Sequence, residues 1–359
     1  MSSLKKTSLN SKHKNLDAKM AEFGGYDMPI NYSNGIINEY KSVRENAGIF
    51  DVSHMGIFKL SGPNITNEIQ YILTNNIEDL NINSAQYTLL CNDTGGVIDD
   101  LIIYKVDDGY ILIVNASNTK KDFNWISSKI GPKSCLEDIT EKTSLIAVQG
   151  PNSRKILSSI INKNLDNLKF YNLDYFTYNN SQMMICRTGY TGELGFEILG
   201  SCNDVNEIWM SALEKGIQPC GLASRDILRI EMGYCLYGHE IDETINPLAS
   251  GLGWVIDKNK KFIGKDRILE DDVKYKLVAF QLLERGIPRQ GQNIFIDDIK
   301  IGVVTSGTFS HKLNCGIGLC HINKSFSNDI LKFDVDNRGK MIGAEIKKLP
   351  FINNTSLRK

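Results

Sequence analysis

The sequence predicts an α+β fold, and three observations carry that prediction. Through roughly the first 256 residues, helical stretches alternate with strands joined by tight turns, the signature of antiparallel pairing rather than of a doubly wound parallel sheet. Beyond residue 276 the chain shows only short strands with Gly and Asn turns, as in a small β-barrel or sandwich. At 359 residues it is also too long for one core, so two or three domains are expected.

The elements follow in order. "NGIINEYKSVRENA" carries Ile37, Tyr40 and Val43 at helical spacing and stops at Gly48. "IFDVSHMGIFKLSG" alternates as one strand, and Pro63 opens an amphipathic helix in "PNITNEIQYIL". A meander comes next: "YTLLC", a turn at "NDTGG", "VIDDLIIYKV", a turn at "DDG", then "YILIVN". "TKKDFNWISSKI" reads as a helix, "SLIAVQG" as a strand and "PNSRKILSSII" as a Pro-started helix. "GYTGELG" follows strand-like "MMICRT" and leads into "FEI", so it reads as a hairpin turn. Two helices begin near Cys202 and Gly221. Residues 257–276 are densely charged and read as a linker with a short helix between a region at 1–256 and a β-domain at 277–359; its strands are "KLVAFQLL", "QNIFI", "IGVVTSG", "CGIGLCHI" and "LKFDVD".

Composition narrows the function. The net charge is -1 and no Lys/Arg block occurs, which removes the electrostatic case for nucleic acid or an anionic membrane surface. No window approaches the roughly 18 apolar residues of a membrane helix. The basic, Ser-rich start lacks an apolar core and reads as a frayed leader or first helix. Eight scattered cysteines without a CxxC pair suggest reduced thiols, no metal site and a cytoplasmic setting.

Several residues could carry chemistry. Asp99 and Asp100 interrupt an apolar central strand, where successive side chains must face opposite sides. An ionised carboxylate there needs compensation, so one of the two is either a turn cap or a buried base of raised pKa. Arg225 and Arg229 lie four apart on one helical face, suited either to surface ion pairs or to a substrate carboxylate. Glu193 and Glu197 share one side of a strand, normally a solvated edge, although Phe196 and Ile198 hint at burial of Glu197. His54 reads as a structural histidine.

"GYDMPINY", "FDVSHMG", "GGVIDDLIIY", "VQGP", "RTGYTGELGFEI", "PCGLASRDILRIEMGYCLYG", "IPRQG" and "TSGTFS" stand in an order that resembles the aminomethyltransferase (T-protein) family of the glycine cleavage system. The resemblance spans nearly the whole chain. It implies a three-domain cloverleaf, with two α+β lobes around a folate cavity followed by a small β-barrel. It implies transfer of a one-carbon unit from the aminomethyl-lipoyl arm of the H-protein to tetrahydrofolate, with release of ammonia. The family's essential aspartate falls on Asp100, and its folate contacts fall on Met55, Tyr87, Asn115, Tyr190, Glu197 and Arg225. In that chemistry a dry carboxylate beside the attacking nitrogen takes its proton and steadies positive charge; a glutamate accepts from the pterin edge, Tyr and Met form apolar walls, and Arg suits an anionic glutamyl tail.

Two features depart from the family pattern: His311 where members often carry Pro, and "PFINNTSLRK", which offers Ser356 where some members place a pocket-lining Tyr. Three alternatives share the fold. One is a folate-dependent demethylase of a sulfonium or methylamine substrate. Another is a non-catalytic folate-binding protein of iron–sulfur cluster maintenance, disfavoured because "RTGYTGELGFE" replaces its Lys-Gly-Cys motif. The last is a dehydrogenase tail, for which the chain lacks room for a flavin domain.

Overall fold

The structure is a computed structural model that describes residues 3–270, 273–326 and 331–358. The predicted meander forms as Ser84–Cys91, Val97–Val106 and Gly109–Val114, extended by Gly56–Ser61 and Cys135–Asp138 into a five-stranded sheet. A second sheet runs in the order Leu173–Tyr178, Ser181–Cys186, Gly195–Ser201, Thr143–Gln149, Gly48–Asp51 and Gln218–Pro219. "IFDVSHMGIFKLSG" is therefore two strands in different sheets rather than one. Side-chain alternation cannot register a sheet change, and here the chain crosses at residues 52–55.

The sheets face each other across an apolar layer to which one contributes Tyr104, Val106 and Ile113 and the other Phe50, Ala147, Met184 and Leu199. Helices close the outer faces. Ile65, Ile69 and Ile72 of Ile65–Ile72 pack on one sheet, and Val205, Ile208, Trp209 and Ala212 of Cys202–Glu214 on the other, each with helical spacing. Of the two readings of the start, the first helix holds, at Asn10–Asn15: Leu9 and His13 are fully buried, and His13 is hydrogen-bonded to Asp51 and Tyr32.

After the short helix Lys265–Glu270, the C-terminal strands close as a barrel in the order Tyr275–Leu282, Cys315–Asn323, Ile299–Ser310, Asn293–Ile296, Lys332–Asn337, Lys340–Lys347 and back to the first. Closure removes the exposed edges that a sandwich would keep. Lys340–Lys347, absent from the sequence reading, supplies the closing strand. No helix of the described residues is long and apolar enough to cross a membrane.

Buried polar staples join barrel and lobes. Arg44 pairs with Glu193 at 2.9 Å and Glu231 at 2.6 Å, and Glu231 also accepts from Tyr40 and from barrel Ser310. Ser356, through its backbone N–H and its hydroxyl, donates to Glu193. Glu193 is thus buried and ion-paired, not on a solvated edge. Arg44→Ala leaves two buried carboxylates without their cation and is expected to cost about 3–5 kcal/mol. Urea unfolding checks this, and an unchanged midpoint would overturn the staple.

Candidate active site

The strand Val97–Val106 sorts its two aspartates by the period-two rule. Asp100 shares a face with Ile102 and Tyr104, towards the layer between the sheets. Asp99 shares the opposite face with Leu101 and Ile103, under the helix Thr119–Ser127. Asn115, one residue past the neighbouring strand, serves both: its side-chain amide nitrogen lies 2.8 Å from Asp99 Oδ1 and 2.8 Å from Asp100 Oδ1, one N–H for each carboxylate. Tyr87, on the other neighbouring strand, donates its hydroxyl to Asp100 Oδ2 at 2.9 Å. Burial, reinforced by the adjacent charge of Asp99, raises the Asp100 carboxyl from the usual 3.8 to about 7 despite these two hydrogen bonds. A carboxyl group poised there can exchange a proton at neutral pH.

The facing wall is built by the loop at 187–194 and the helix Leu222–Met232. Gln149, from "VQGP", donates to Thr188 O at 3.1 Å and accepts from the Thr191 hydroxyl at 2.8 Å, clamping that loop. A Cβ at residue 189 or 195 would stand 2.1 or 2.2 Å from the Gln149 amide, so glycine at both positions follows from the clamp. The loop thereby sets Tyr190, whose hydroxyl donates to Cys235 O. The Arg225 guanidinium lies 4.7 Å from the Tyr190 ring centroid. Glu197 accepts from the Thr188 hydroxyl, and burial raises its pKa against that bond and the nearby charge of Arg225.

The two candidate arginines separate. Arg229 is buried and bonded to Asp226, Glu240 and barrel Ser306. Arg225 makes no ion pair among the described residues, and burial lowers its pKa. Tyr87, Asp100, Asn115, Tyr190, Glu197 and Arg225 are all part-buried and keep some accessible surface. Met55 is part-buried against the inter-sheet core. His54 is buried between Phe23 and Tyr26, its pKa pushed down to about 4 by burial.

Sequence reasoning missed Trp254, which stacks on Tyr87 with ring centroids 5.6 Å apart while 67% exposed. It also missed Asn118 and Thr188. No periodicity marks Trp254 or Thr188, because one sits in a single 3-10 turn, Gly253–Val255, and the other in a loop. Among the described residues no group of three or more His, Cys, Asp or Glu could hold a metal ion.

Residues 9–260 match the family model of the GCVT N-terminal domain, and residues 276–353 match that of the glycine cleavage T-protein C-terminal barrel domain. This chain belongs to the glycine cleavage T-protein family. It is 44% identical over 358 residues to an aminomethyltransferase of Halothermothrix orenii, covering 97% of this chain and 100% of that one. It is 45% identical over 361 residues to an aminomethyltransferase of Chlorobium limicola, covering 97% and 99%. The crystal structure of glycine cleavage system aminomethyltransferase T from Bartonella henselae superposes with a TM-score of 0.93 at 29% identity, covering 98% of this chain and 99% of that one. The T-protein reading of fold and activity holds: the chain is an aminomethyltransferase of glycine cleavage.

Within this T-protein, the cost of ionising Asp100 has a direction in pH. The folded carboxyl binds its proton up to about 7, whereas the unfolded one releases it near 3.8, so folding loses stability as pH climbs between those values and the loss is constant above. Asp100→Asn is neutral throughout. Its melting temperature should exceed the parent's at about pH 8, with the gap closing as pH falls towards about 4. Calorimetry at both ends checks the sign.

Proposed function

We propose that this aminomethyltransferase holds tetrahydrofolate against the wall formed by Asp100, Tyr87, Tyr190, Glu197 and Arg225, with Asp100 as the proton acceptor and charge-stabilising group, and that its donor is the aminomethylated lipoyl arm of the H-protein. The observation that carries the reading is Asp100 itself: an aspartate half-buried without a cation, facing the inter-sheet layer, hydrogen-bonded by Tyr87 and Asn115 and titrating at about 7.

The residues present fit a folate. Arg225, deep and without an ion pair, has its charge available for an anionic tail. Tyr190 and Tyr87 offer aromatic faces and Met55 an apolar one, as a flat ring requires. Glu197 keeps acceptor capacity beyond its bond from Thr188. Bound folate would supply the nitrogens that receive the carbon. For its part the chain holds Asp100 so that one oxygen is tied by Tyr87 and the other by Asn115, leaving the remaining lone pairs to take a proton. The low-dielectric surroundings that raise its pKa also strengthen its attraction for positive charge developing on the transferred carbon.

The reading extends to organisation and place. A folate-binding region at 1–256, a charged linker at 257–276 and a barrel domain at 277–359 are supported by the two sheets and by the barrel, whose first strand begins at Tyr275, two residues inside the linker as read from the sequence. Eight free cysteines, five of them buried, suit a reducing cytoplasm.

Asp100→Asn should bind tetrahydrofolate as the parent does but lose on the order of 10²–10⁴-fold in turnover with aminomethylated H-protein. In the parent, kcat should fall as pH drops through about 7, because the carboxylate is the working form. Parent-like turnover in the variant would sink the role of Asp100, and turnover with a sulfonium donor in place of the H-protein arm would sink that of the donor. Arg225→Ala should weaken folate binding by about 10-fold or more, read as the dissociation constant in a titration.

A further inference from the structure

Asp122 is a buried acid that the reaction just described does not use. The helix Thr119–Ser127 turns it inward with Ile126, four residues on, and its side chain is fully buried. Neither carboxyl oxygen has a hydrogen-bond donor among the described residues. It lies one helical turn on from Asn118, whose amide donates to Asp99 at 2.6 Å, so it shares the buried face that meets the Asp99 carboxyl. Lys121, next in the chain, is turned elsewhere, its ammonium 2.7 Å from the Tyr237 hydroxyl and 2.7 Å from Glu243. Two neighbouring carboxyls, both fully buried and without a cation, strongly disfavour each other's ionisation.

The donor inventory decides which one holds the proton. Asp99 accepts from the Asn115 backbone N–H at 2.9 Å, from the Asn115 amide at 2.8 Å and from the Asn118 amide at 2.6 Å. Three N–H donors stabilise its ionised form, whereas nothing stabilises an ionised Asp122. We propose that Asp122 is a positioning residue that stays protonated and donates its O–H to Asp99, fixing the carboxylate that orients Asn115 and, through the second N–H of that amide, Asp100. Burial and then the charge of Asp99 push the Asp122 pKa up to about 11; Asp100 adds to this and Lys121 opposes it. The proton therefore remains across the range in which Asp100 titrates. The catalytic part of this inference rests on Asp100 being the base.

Two substitutions of similar size separate a donor from a filler. Asp122→Asn keeps a donor for Asp99, while Asp122→Leu fills the space without one. The asparagine variant should keep kcat within about threefold of the parent, and the leucine variant should lose on the order of 10²-fold, as a misplaced catalytic group does. Infrared difference spectra of the full-length protein, recorded above the Asp100 titration, should show the carbonyl stretch of a protonated carboxylic acid that disappears in Asp122→Asn. Absence of that band in the parent, or equal activity of the asparagine and leucine variants when both are folded by circular dichroism, would overturn the proposal. The infrared measurement needs no turnover, so it decides the protonation of Asp122 even if Asp100 proves not to be the base.

Discussion

Asp99 and Asp122 are fully buried and Asp100 beside Asp99 is half-buried, and among the described residues none of the three makes an ion pair. The rest of the site depends on how that arrangement is tolerated. Negative charge is compensated by amides, hydroxyls and retained protons instead of by lysine or arginine. A cation would have pulled the Asp100 pKa down and made it a poor proton acceptor near neutrality. Without one, burial raises it to about 7, and its hydrogen bonds hold its direction. Stability is given up at this point, as sites built for chemistry commonly require.

The helix Leu222–Met232 links this pocket to the rest of the molecule. From one side it presents Arg225 to the ring of Tyr190; from another it sends Arg229 and Glu231 to barrel residues Ser306 and Ser310. The ordinary ion pairs expected of an arginine-bearing helix do exist here, but at residue 229, which leaves residue 225 uncommitted. The C-terminal tail takes part as well. Ser356 clamps Glu193 only four residues before Glu197, so the tail steadies the strand that carries Glu197.

Much of the fold was legible because strand alternation and helix spacing are local: the meander, the helices from Ile36, Thr119, Cys202 and Leu222, and the strand-rich C-terminal domain follow from patterns a few residues long. The break between Gly48–Asp51 and Gly56–Ser61 was not legible, because both pieces are apolar and only their sheet partners differ. Lys340–Lys347 escaped notice with its charged ends, and hydrogen bonding to Tyr275–Leu282 is what makes it a strand. The solvated-edge reading of Glu193 failed for the same reason: Arg44, 149 residues away, supplies its partner.

The sequence by itself determined that one aspartate of the pair must face inward from a central strand, since a period of two leaves no other choice, and the ordered motifs determined the family. The resemblance already singled out Asp100; that Asn115 divides its two N–H groups between both aspartates, and that Asp122 lies beside them, were decided by tertiary structure. Desolvation and hydrogen-bond geometry depend on segments that the chain brings together only after the sheets have packed, and no local pattern carries them.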